Sequence, residues 1–441
     1  MALGDFDIVR RSLTSRLLST ATTVLMVAVA VALLVSLLSL RASGQRSLER
    51  GAGNADLLIA AEPGPMNTVL NHLYLVNPPR AAMPWAEYQR VRTSQPWSWT
   101  LAMAQGDSFR GFPVIATEHA MLGVYEPIEG RPMALAEGVW FAEGAPGDWQ
   151  IVLGAEAARR SGVRLGQGVY LTHGVGRRAA VGGDVVDLDD EGNPINASTD
   201  FDDGALQVHR EYLYEVVGVL EPTGTAFDRA LFTNLRSTWI KHAYVDSAEA
   251  LRDEQRLVTG FLGRVLTRPG QRAGAMLPAV FESIRRDGLT VASPGDQIRR
   301  LLSIVGNVDQ ILVAMAVVVL IASGAGILLA LVSSMEQRRR QIAVLRVLGA
   351  SRGRIFGLVM FEAGLIGLMG AVLGVLVASL ALGAVGGVMA ERTGLTIDAG
   401  LSPRGGLMVV FLAILVAQVA ALIPSVMAYR TSVVRSLRPI G

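Results

Sequence analysis

The stretch MEQRRRQIAVLRVLGASRGRIFGLV, residues 335–359, lies between two long apolar segments and contains six arginines. Arginine clusters beside apolar segments are typical of the cytoplasmic side of membrane proteins. One interpretation is a topological anchor at the inner face of a membrane. The other is a surface that a second protein binds.

Four uncharged apolar stretches are long enough to cross a bilayer, which takes about 20 helical residues. They are residues 17–40, 310–335, 363–390 and 405–429. The chain is 51% hydrophobic and 18% charged, which is too apolar for an ordinary soluble domain. The first stretch has no small-residue cleavage site and exceeds the apolar region of a signal peptide, so we expect a retained anchor. We predict a membrane protein with four α-helical spans.

Arginines flanking the four stretches predict the orientation. Those expected in the cytoplasm, besides the six quoted above, are Arg10, Arg11, Arg16, Arg430, Arg435 and Arg438. Both termini are then cytoplasmic, and a large domain lies outside, between spans 1 and 2. The predicted division is as follows: residues 1–41, an N-terminal cytoplasmic amphipathic segment and span 1; 42–292, an extracytoplasmic domain; 293–309, a stalk helix; 310–441, spans 2–4.

Residues 42–292 have the pattern of a mixed α+β domain. Short β-rich runs bounded by Gly, Pro or charge occur at 55–62, 111–117, 149–154, 168–174 and 213–220. Helices are predicted at 154–162 and 275–288, each ending on a glycine. From residue 293 the pattern predicts a capped helix that runs without a break into the second span. Such a stalk would join the outer domain mechanically to the membrane segment.

Two features of this domain have alternative interpretations. The tryptophans Trp85, Trp97 and Trp99 either line an apolar binding surface or pack in the core. The apolar segment 64–85 is either an entry loop near the membrane or buried packing, and we favour burial.

No catalytic motif is found in the chain. A P-loop requires G-x-x-x-x-G-K-[ST], and the single lysine, Lys241, lies in STWIKHAY instead. No G-x-S-x-G motif is present, and cysteine is absent, so thiolate chemistry, disulfides and cysteine metal sites are excluded. The histidines, which are His72, His119, His173, His209 and His242, are dispersed without metal-ligand spacing. We therefore predict a non-enzymatic chain with no metal site and no cofactor.

The quoted stretch itself predicts a helix at 335–348 that ends at Gly349, with Ser351 capping the next helix. Ile342, Leu345 and Leu348 form an apolar stripe among the arginines. This pattern predicts an amphipathic element lying on the inner face of the membrane. It permits a docking helix but is equally consistent with anchoring.

The spans contain small residues rather than charges. No ionisable residue follows Glu362 within the predicted spans, which disfavours a secondary transporter or channel. Gly324 and Gly326 lie in the second span, and Gly370 and Gly374 form a G-x-x-x-G spacing in the third. This spacing permits close helix approach, either within the chain or between two copies.

The segment EQRRRQIAVLRVLGASRGRIFGLVMFEAGLIGLMGAVLG, residues 336–374, closely resembles the signature of FtsX/MacB-type ABC transporter permeases, with its I-x-x-L-R-x-L-G-A-S/T core. Residues 421–440, ALIPSVMAYRTSVVRSLRPI, resemble the closing helix and tail of the same family. In the outer domain, residues 151–171 and 214–232 resemble the MacB-like periplasmic core domain. One departure is the arginine run at 338–340, where the family commonly has an acidic residue nearer the core.

The resemblance implies a permease subunit that works with a separate ABC ATPase, which binds the ATP. It also implies a permease dimer in the bacterial inner membrane, in contact with lipid, with a possible periplasmic adaptor or lipoprotein partner and no nucleic acid. Residues that would form the coupling helix on the ATPase are Arg340, Ile342, Leu345, Arg346, Leu348, Gly349, Ala350 and Ser351. ATP-driven movement of this helix would move the outer domain, which is mechanotransmission.

Three functions remain open at this stage. The first is export or extraction of a hydrophobic, lipoprotein or peptide-like cargo, as in LolCDE-type systems. The second is an FtsX-style transmitter that activates a periplasmic partner without transport. The third is a membrane-anchored binding protein with no ATPase. The large outer domain suits the first better than the second.

Overall fold

The computed structural model describes residues 5–51, 53–174, 185–189, 194–195, 208–267, 274–393 and 403–430. Arg435 and Arg438 lie outside these residues. The chain divides into two units. One contains Met1–Gly44, Ile304–Gly387 and Ile397–Gly441, and the other contains Gln45–Ser303 and Val388–Thr396.

The helices follow in chain order: α1 Asp5–Thr14, α2 Leu17–Arg50, α3 Pro65–His72, α4 Trp85–Ser94, α5 Met121–Val124, α6 Ala155–Ser161, α7 Leu235–Ala243, α8 Leu277–Arg286, α9 Pro294–Val347, α10 Arg352–Thr393 and α11 Pro403–Arg430. The strands are β1 Leu57–Ala60, β2 Met83–Pro84, β3 Trp97–Phe109, β4 Phe112–Thr117, β5 Leu135–Gly138, β6 Gln150–Leu153, β7 Gly168–His173, β8 Val185–Leu188, β9 Pro194–Ile195, β10 Val208–Leu220, β11 Leu231–Asn234, β12 Leu257–Val258, β13 Gly260–Val265 and β14 Thr290–Ala292.

Four helices of the described chain are long and apolar enough to span a membrane. The apolar segments are Leu17–Ser43, Val313–Ser333, Arg352–Gly386 and Gly405–Arg430. They match the four predicted spans, with the large α/β unit between the first and second. The predicted architecture is confirmed.

The second span belongs to a helix of 54 residues, α9, which begins at Pro294. No proline follows Pro294 within α9, so every later residue of this helix has a main-chain N–H that can donate a helical hydrogen bond. The predicted continuity of stalk and span is therefore present. The stretch predicted as a helix at 335–348 is helical to Val347 and forms the last turns of α9, since no breaker residue precedes it.

Glycines allow the spans to pack closely. A methyl group on Gly374 would lie 2.5 Å from the carbonyl oxygen of Ala28, and one on Gly370 would lie 2.6 Å from Val27 Cβ. Both contacts are made with α2. On α9, Gly324 would meet Val416 at 2.8 Å and Gly326 would meet Met26 at 2.9 Å. All four predicted packing glycines thus contact other helices of the same chain.

Twelve described strands of the other unit form one mixed sheet, in the order β14-β1-β13-β3-β4-β11-β6-β10-β7-β8-β9, with β5 on β10. β7 also pairs with β3, so the six strands β3, β4, β11, β6, β10 and β7 close into a ring. The closing seam is short and consists of the pairs Asp107↔His173 and Ser108↔Thr172. A register shift in β3 between Gln105 and Ser108 bends the strand toward this seam.

The core of this unit lies on both faces of the sheet. Trp85 and Trp97 pack against one buried cluster, which includes Tyr88 and Phe261, and Trp99 packs against another. Val69 and His72 of segment 64–85 are fully buried. Core packing is therefore the structural role of these tryptophans and of the buried part of that segment, whereas Val76 is exposed.

We expect Gly374→Ala to destabilise the membrane unit by about 1–3 kcal/mol, because the added methyl overlaps a backbone oxygen of α2. The control is Gly383→Ala on the same helix, where a methyl meets nothing within 4 Å. The control should be neutral or slightly stabilising, since alanine favours helix. The measurement is thermal unfolding of the full chain in detergent, followed by helical circular dichroism. Equal melting temperatures for the two variants would contradict the close packing.

Candidate functional site

The turn between α9 and α10 has the hydrogen bonds of a Schellman motif. Ala350 N donates to Leu345 O at 3.0 Å, and Gly349 N donates to Arg346 O at 3.1 Å. Gly349 has φ +96°, a conformation that side-chain-bearing residues adopt at a cost. The predicted helix end at Gly349 is therefore present, with α9 ending at Val347.

The next helix begins with a side-chain cap. Ser351 Oγ accepts a hydrogen bond from Arg354 N at 3.2 Å, which satisfies one free donor of the first turn of α10. The predicted cap is confirmed. Together, the two motifs fix the path of the chain between the second and third spans.

The apolar side chains at the end of α9 and in the turn divide into an inner and an outer set. Ile342 is buried with Met335, Ile355, Val359 and Ala428 in a small apolar cluster. Leu345 and Ala350 pack against this cluster and are partly buried. These side chains support the turn from inside.

The outer set forms the exposed apolar tip of α9. It consists of Val344, Val347 and Leu348, and the last two are 65% and 77% exposed. Their i, i+3, i+4 spacing places them on one face of the helix. Arg346 is partly buried beside them, and the side chain of Arg340 lies outside the described set. Sequence reasoning included Leu348 but missed Val344 and Val347, whose exposure depends on Ile342 facing inward.

The N-terminal helix α1 packs beside this region. Val9 is buried, and Ser12 Oγ donates to Glu362 Oε1 at 3.3 Å. A cavity of about 370 Å³ lies between α1, the end of α9 and the start of α10, and both Ile342 and Leu345 line it. Helix α1 thus lies beside the α9–α10 turn, with this cavity between them.

A second polar site, the histidine cluster, occurs in the α/β unit. It consists of Asp107 on β3, His173 at the end of β7, His209 at the start of β10 and His242 on α7. Each residue offers one ligand atom, and these atoms all lie within 4.8 Å of one another. The cluster therefore lies at the β3–β7 seam that closes the ring of strands.

One carboxylate oxygen faces all three imidazoles. Asp107 Oδ1 lies 3.2 Å from His242 Nε2, 3.4 Å from His173 Nδ1 and 3.9 Å from His209 Nε2. The other oxygen, Oδ2, accepts a hydrogen bond from Lys241 Nζ at 2.5 Å. Lys241 is fully buried and lies 5.5 Å from the ring centre of Tyr214.

Burial and charge shift the pKa values of this group. Burial raises the pKa of Asp107, but Lys241, His173 and His242 outweigh it and hold that pKa well below its usual range. Burial lowers the pKa of Lys241, and Asp107 partly offsets this. Burial and the nearby Lys241 lower the pKa of His209 to about 4. His209 is therefore a neutral imidazole at neutral pH.

Three of the five histidines that look dispersed in sequence therefore meet in space. The expectation of no metal site rested on their separation along the chain, with no two at ligand spacing on one element. Strand pairing brings them together, and no local sequence signal reports it. The other two lie elsewhere: His72 Nδ1 is 2.9 Å from Thr68 O, and His119 Nδ1 is 2.8 Å from Phe141 O.

Comparisons with known proteins match both parts of the chain. A family model described as FtsX-like permease C-terminal matches residues 313–433, and one described as MacB-like periplasmic core domain matches residues 20–275. The chain is also similar to the crystal structure of the periplasmic region of MacB from Actinobacillus actinomycetemcomitans. That similarity has 9% identity and a TM-score of 0.33, over 57% of this chain and 94% of the other. No curated protein matches the chain.

We expect Gly349→Ala to weaken the turn by about 1 kcal/mol, because alanine is strained at this positive φ even though its methyl would meet nothing. Hydrogen–deuterium exchange at the Ala350 amide should accelerate about fivefold. Gly353→Ala, in α10 with equally open space, is the matched control and should leave exchange unchanged. Unchanged exchange in Gly349→Ala would contradict the Schellman assignment.

We expect Asp107→Asn to destabilise the α/β unit by about 3–5 kcal/mol, because it leaves the buried Lys241 ammonium without its counter-charge. Arg285→Ala is the control, since it removes an exposed pair with Glu282 and should leave the stability of this unit nearly unchanged. All six tryptophans lie between residues 85 and 239, so urea unfolding of the full chain followed by tryptophan fluorescence reports this unit. Similar midpoints for the two variants would refute the role of the buried pair.

Proposed function

Because the chain belongs to the FtsX/MacB family of ABC transporter permeases, we propose that it couples ATP hydrolysis in a partner subunit to movement of its extracytoplasmic domain. Permeases of this family are generally non-catalytic, and family membership implies an ABC ATPase partner. The chain is a multi-pass membrane protein with a MacB-like domain between its first two spans.

The observation that carries the proposal is the exposed apolar tip of α9. Val344, Val347 and Leu348 present three apolar side chains on one helix face, next to the rigid turn at Gly349. The arginine asymmetry of the sequence supports a cytoplasmic position for this tip, where apolar side chains would gain free energy by burial against a protein. A short apolar helix face of this kind fits a groove on a partner. We therefore assign it to the ATPase.

A push on the tip would reach the spans through the inner set of side chains. Ile342 packs with Ile355 and Val359 of α10 and with Ala428 of α11. Displacement of the turn would then tilt α9, α10 and α11 together rather than bend one helix. Since α9 continues as one helix back to Pro294, the same movement would be carried toward the extracytoplasmic domain.

We further propose that the cargo is a hydrophobic, lipoprotein or peptide-like molecule handled by the extracytoplasmic domain. Beyond Glu362 the predicted spans hold no ionisable residue that could line a polar path, so cargo would not need to cross through them. In this proposal the termini are cytoplasmic, the membrane is the bacterial inner membrane, and two permease subunits work with two ATPase subunits. A periplasmic adaptor or lipoprotein is a further proposed partner.

The test uses the full chain co-expressed with its candidate ATPase subunit, comparing wild type with Val347→Asp and Leu348→Asp. Each substitution places a charge on the apolar tip without entering the packed inner set. We expect co-purification and permease-dependent stimulation of ATPase activity to fall at least about tenfold, equivalent to about 1.4 kcal/mol of binding.

The matched control is Val76→Asp, which changes a valine that is 58% exposed in the extracytoplasmic domain. This variant should bind and stimulate the ATPase as wild type does. If the two tip variants also behave as wild type, the arginine-rich link is an anchor and the proposed coupling is wrong. If the tip variants lose coupling, but the wild-type complex moves no cargo in reconstituted vesicles, the chain acts as a transmitter without transport.

A further inference from the structure

The structure assigns a second site to this chain: we propose that Asp107, His173, His209 and His242 bind one divalent transition-metal ion of the zinc type at the seam of the extracytoplasmic domain. This inference is independent of the proposed coupling to an ATPase. It rests on the geometry of four side chains from four separate chain segments.

The distances around Asp107 Oδ1 suit such an ion. Three imidazole nitrogens lie 3.2, 3.4 and 3.9 Å from this oxygen. In a tetrahedral zinc site with bonds of about 2.0–2.1 Å, ligand atoms are about 3.3 Å apart. The observed separations are close to that value. All ligand atoms lie within 4.8 Å of one another, and rotation of the two exposed imidazoles would bring the wider pairs to tetrahedral spacing.

His209 gives an independent indication of a ligand. Its side chain is 97% buried, since its exposed fraction is 3%, and its Nε2 has no hydrogen-bond partner among the described residues. That nitrogen faces Asp107 Oδ1 at 3.9 Å, which is too long for a hydrogen bond. A buried polar atom without a partner is costly, and a metal bond would satisfy it.

The donor set selects the class of metal. Three imidazoles and one carboxylate oxygen suit Zn²⁺ and its transition-metal neighbours, whereas Ca²⁺ and Mg²⁺ prefer oxygen ligands throughout. Lys241 holds the other oxygen of Asp107, so the carboxylate would bridge an ammonium and a metal ion. The imidazoles of His173 and His242 are 55% and 37% exposed, which gives an ion access from solvent and screens the added charge.

The position of the site suggests what a bound ion would do. β3 and β7 are joined by only two residue pairs, and one of them is Asp107↔His173. A metal ion would tie these strands to β10 through His209 and to α7 through His242. It would therefore hold closed the ring of strands at its shortest seam, and metal occupancy should stabilise this unit against unfolding.

The test uses the full chain in detergent, without a polyhistidine tag and stripped of metal by a chelator. Zn²⁺ is titrated in competition with a chromophoric chelator, and Co²⁺ is used in parallel because its visible absorption distinguishes four-coordinate from six-coordinate sites. We expect one Zn²⁺ per chain, a four-coordinate Co²⁺ spectrum, no binding of Ca²⁺, and a higher urea midpoint in tryptophan fluorescence with Zn²⁺.

The exposed ligands allow substitutions that spare the core. His173→Gln and His242→Gln should each weaken Zn²⁺ binding at least about tenfold, and together at least about a hundredfold. The control is His119→Gln, a histidine outside the cluster whose loss should leave affinity and stoichiometry unchanged. Sub-stoichiometric binding by the wild-type chain would overturn the proposal, as would equal binding by the double variant.

Discussion

The main-chain hydrogen bonds of α9 have to continue without a gap for 54 residues, because the second span and both of its extensions are one helix. A proline or an interrupted series of hydrogen bonds anywhere between Pro294 and the turn at Gly349 would make a hinge there. Within α9 there is neither a proline after Pro294 nor a run of turn-forming residues. It does contain Gly324 and Gly326, which cost helix stability but let Val416 and Met26 approach closely. Packing against neighbouring helices thus offsets the helix stability that these two glycines cost.

At the end of α9, too, a glycine allows a backbone conformation on which the packing of its neighbours depends. Gly349 is the residue that can adopt the required positive φ without strain, and its neighbours determine which side chains face inward. Leu345 and Ala350, joined by the hydrogen bond of the turn that spans more residues, both pack against the inner cluster. Leu348, between them in sequence, points outward. An apolar tip and a packed inner face therefore follow from one backbone motif, whichever partner the tip binds.

A structural feature could be predicted from the sequence where residues close together in the chain determine it. The four spans follow from hydropathy, because a lipid environment demands about 20 apolar residues in a row. The end of α9, the cap at Ser351 and strands such as β4 and β6 follow from short patterns of glycine, serine and β-branched residues. Local patterns did not reveal β3, β11 or β13, whose places depend on pairing with distant strands. They also did not show that residues 335–347 continue α9, because the helix pattern there is the same for a separate helix.

The histidine cluster shows the limit most clearly. His173 and His209 end and begin strands that flank a long insertion, Asp107 lies one strand away, and His242 follows Lys241 on a helix. None of these positions has a ligand spacing to another, so motif reasoning found only isolated histidines. What unites them is the closure of the ring through β3 and β7, a constraint that acts on the whole sheet. The sequence did contain one anomaly that points here, since a single lysine in a chain with many arginines occurs directly before a histidine. A lysine buried at 0% exposure requires a carboxylate, and that carboxylate is the one the histidines surround.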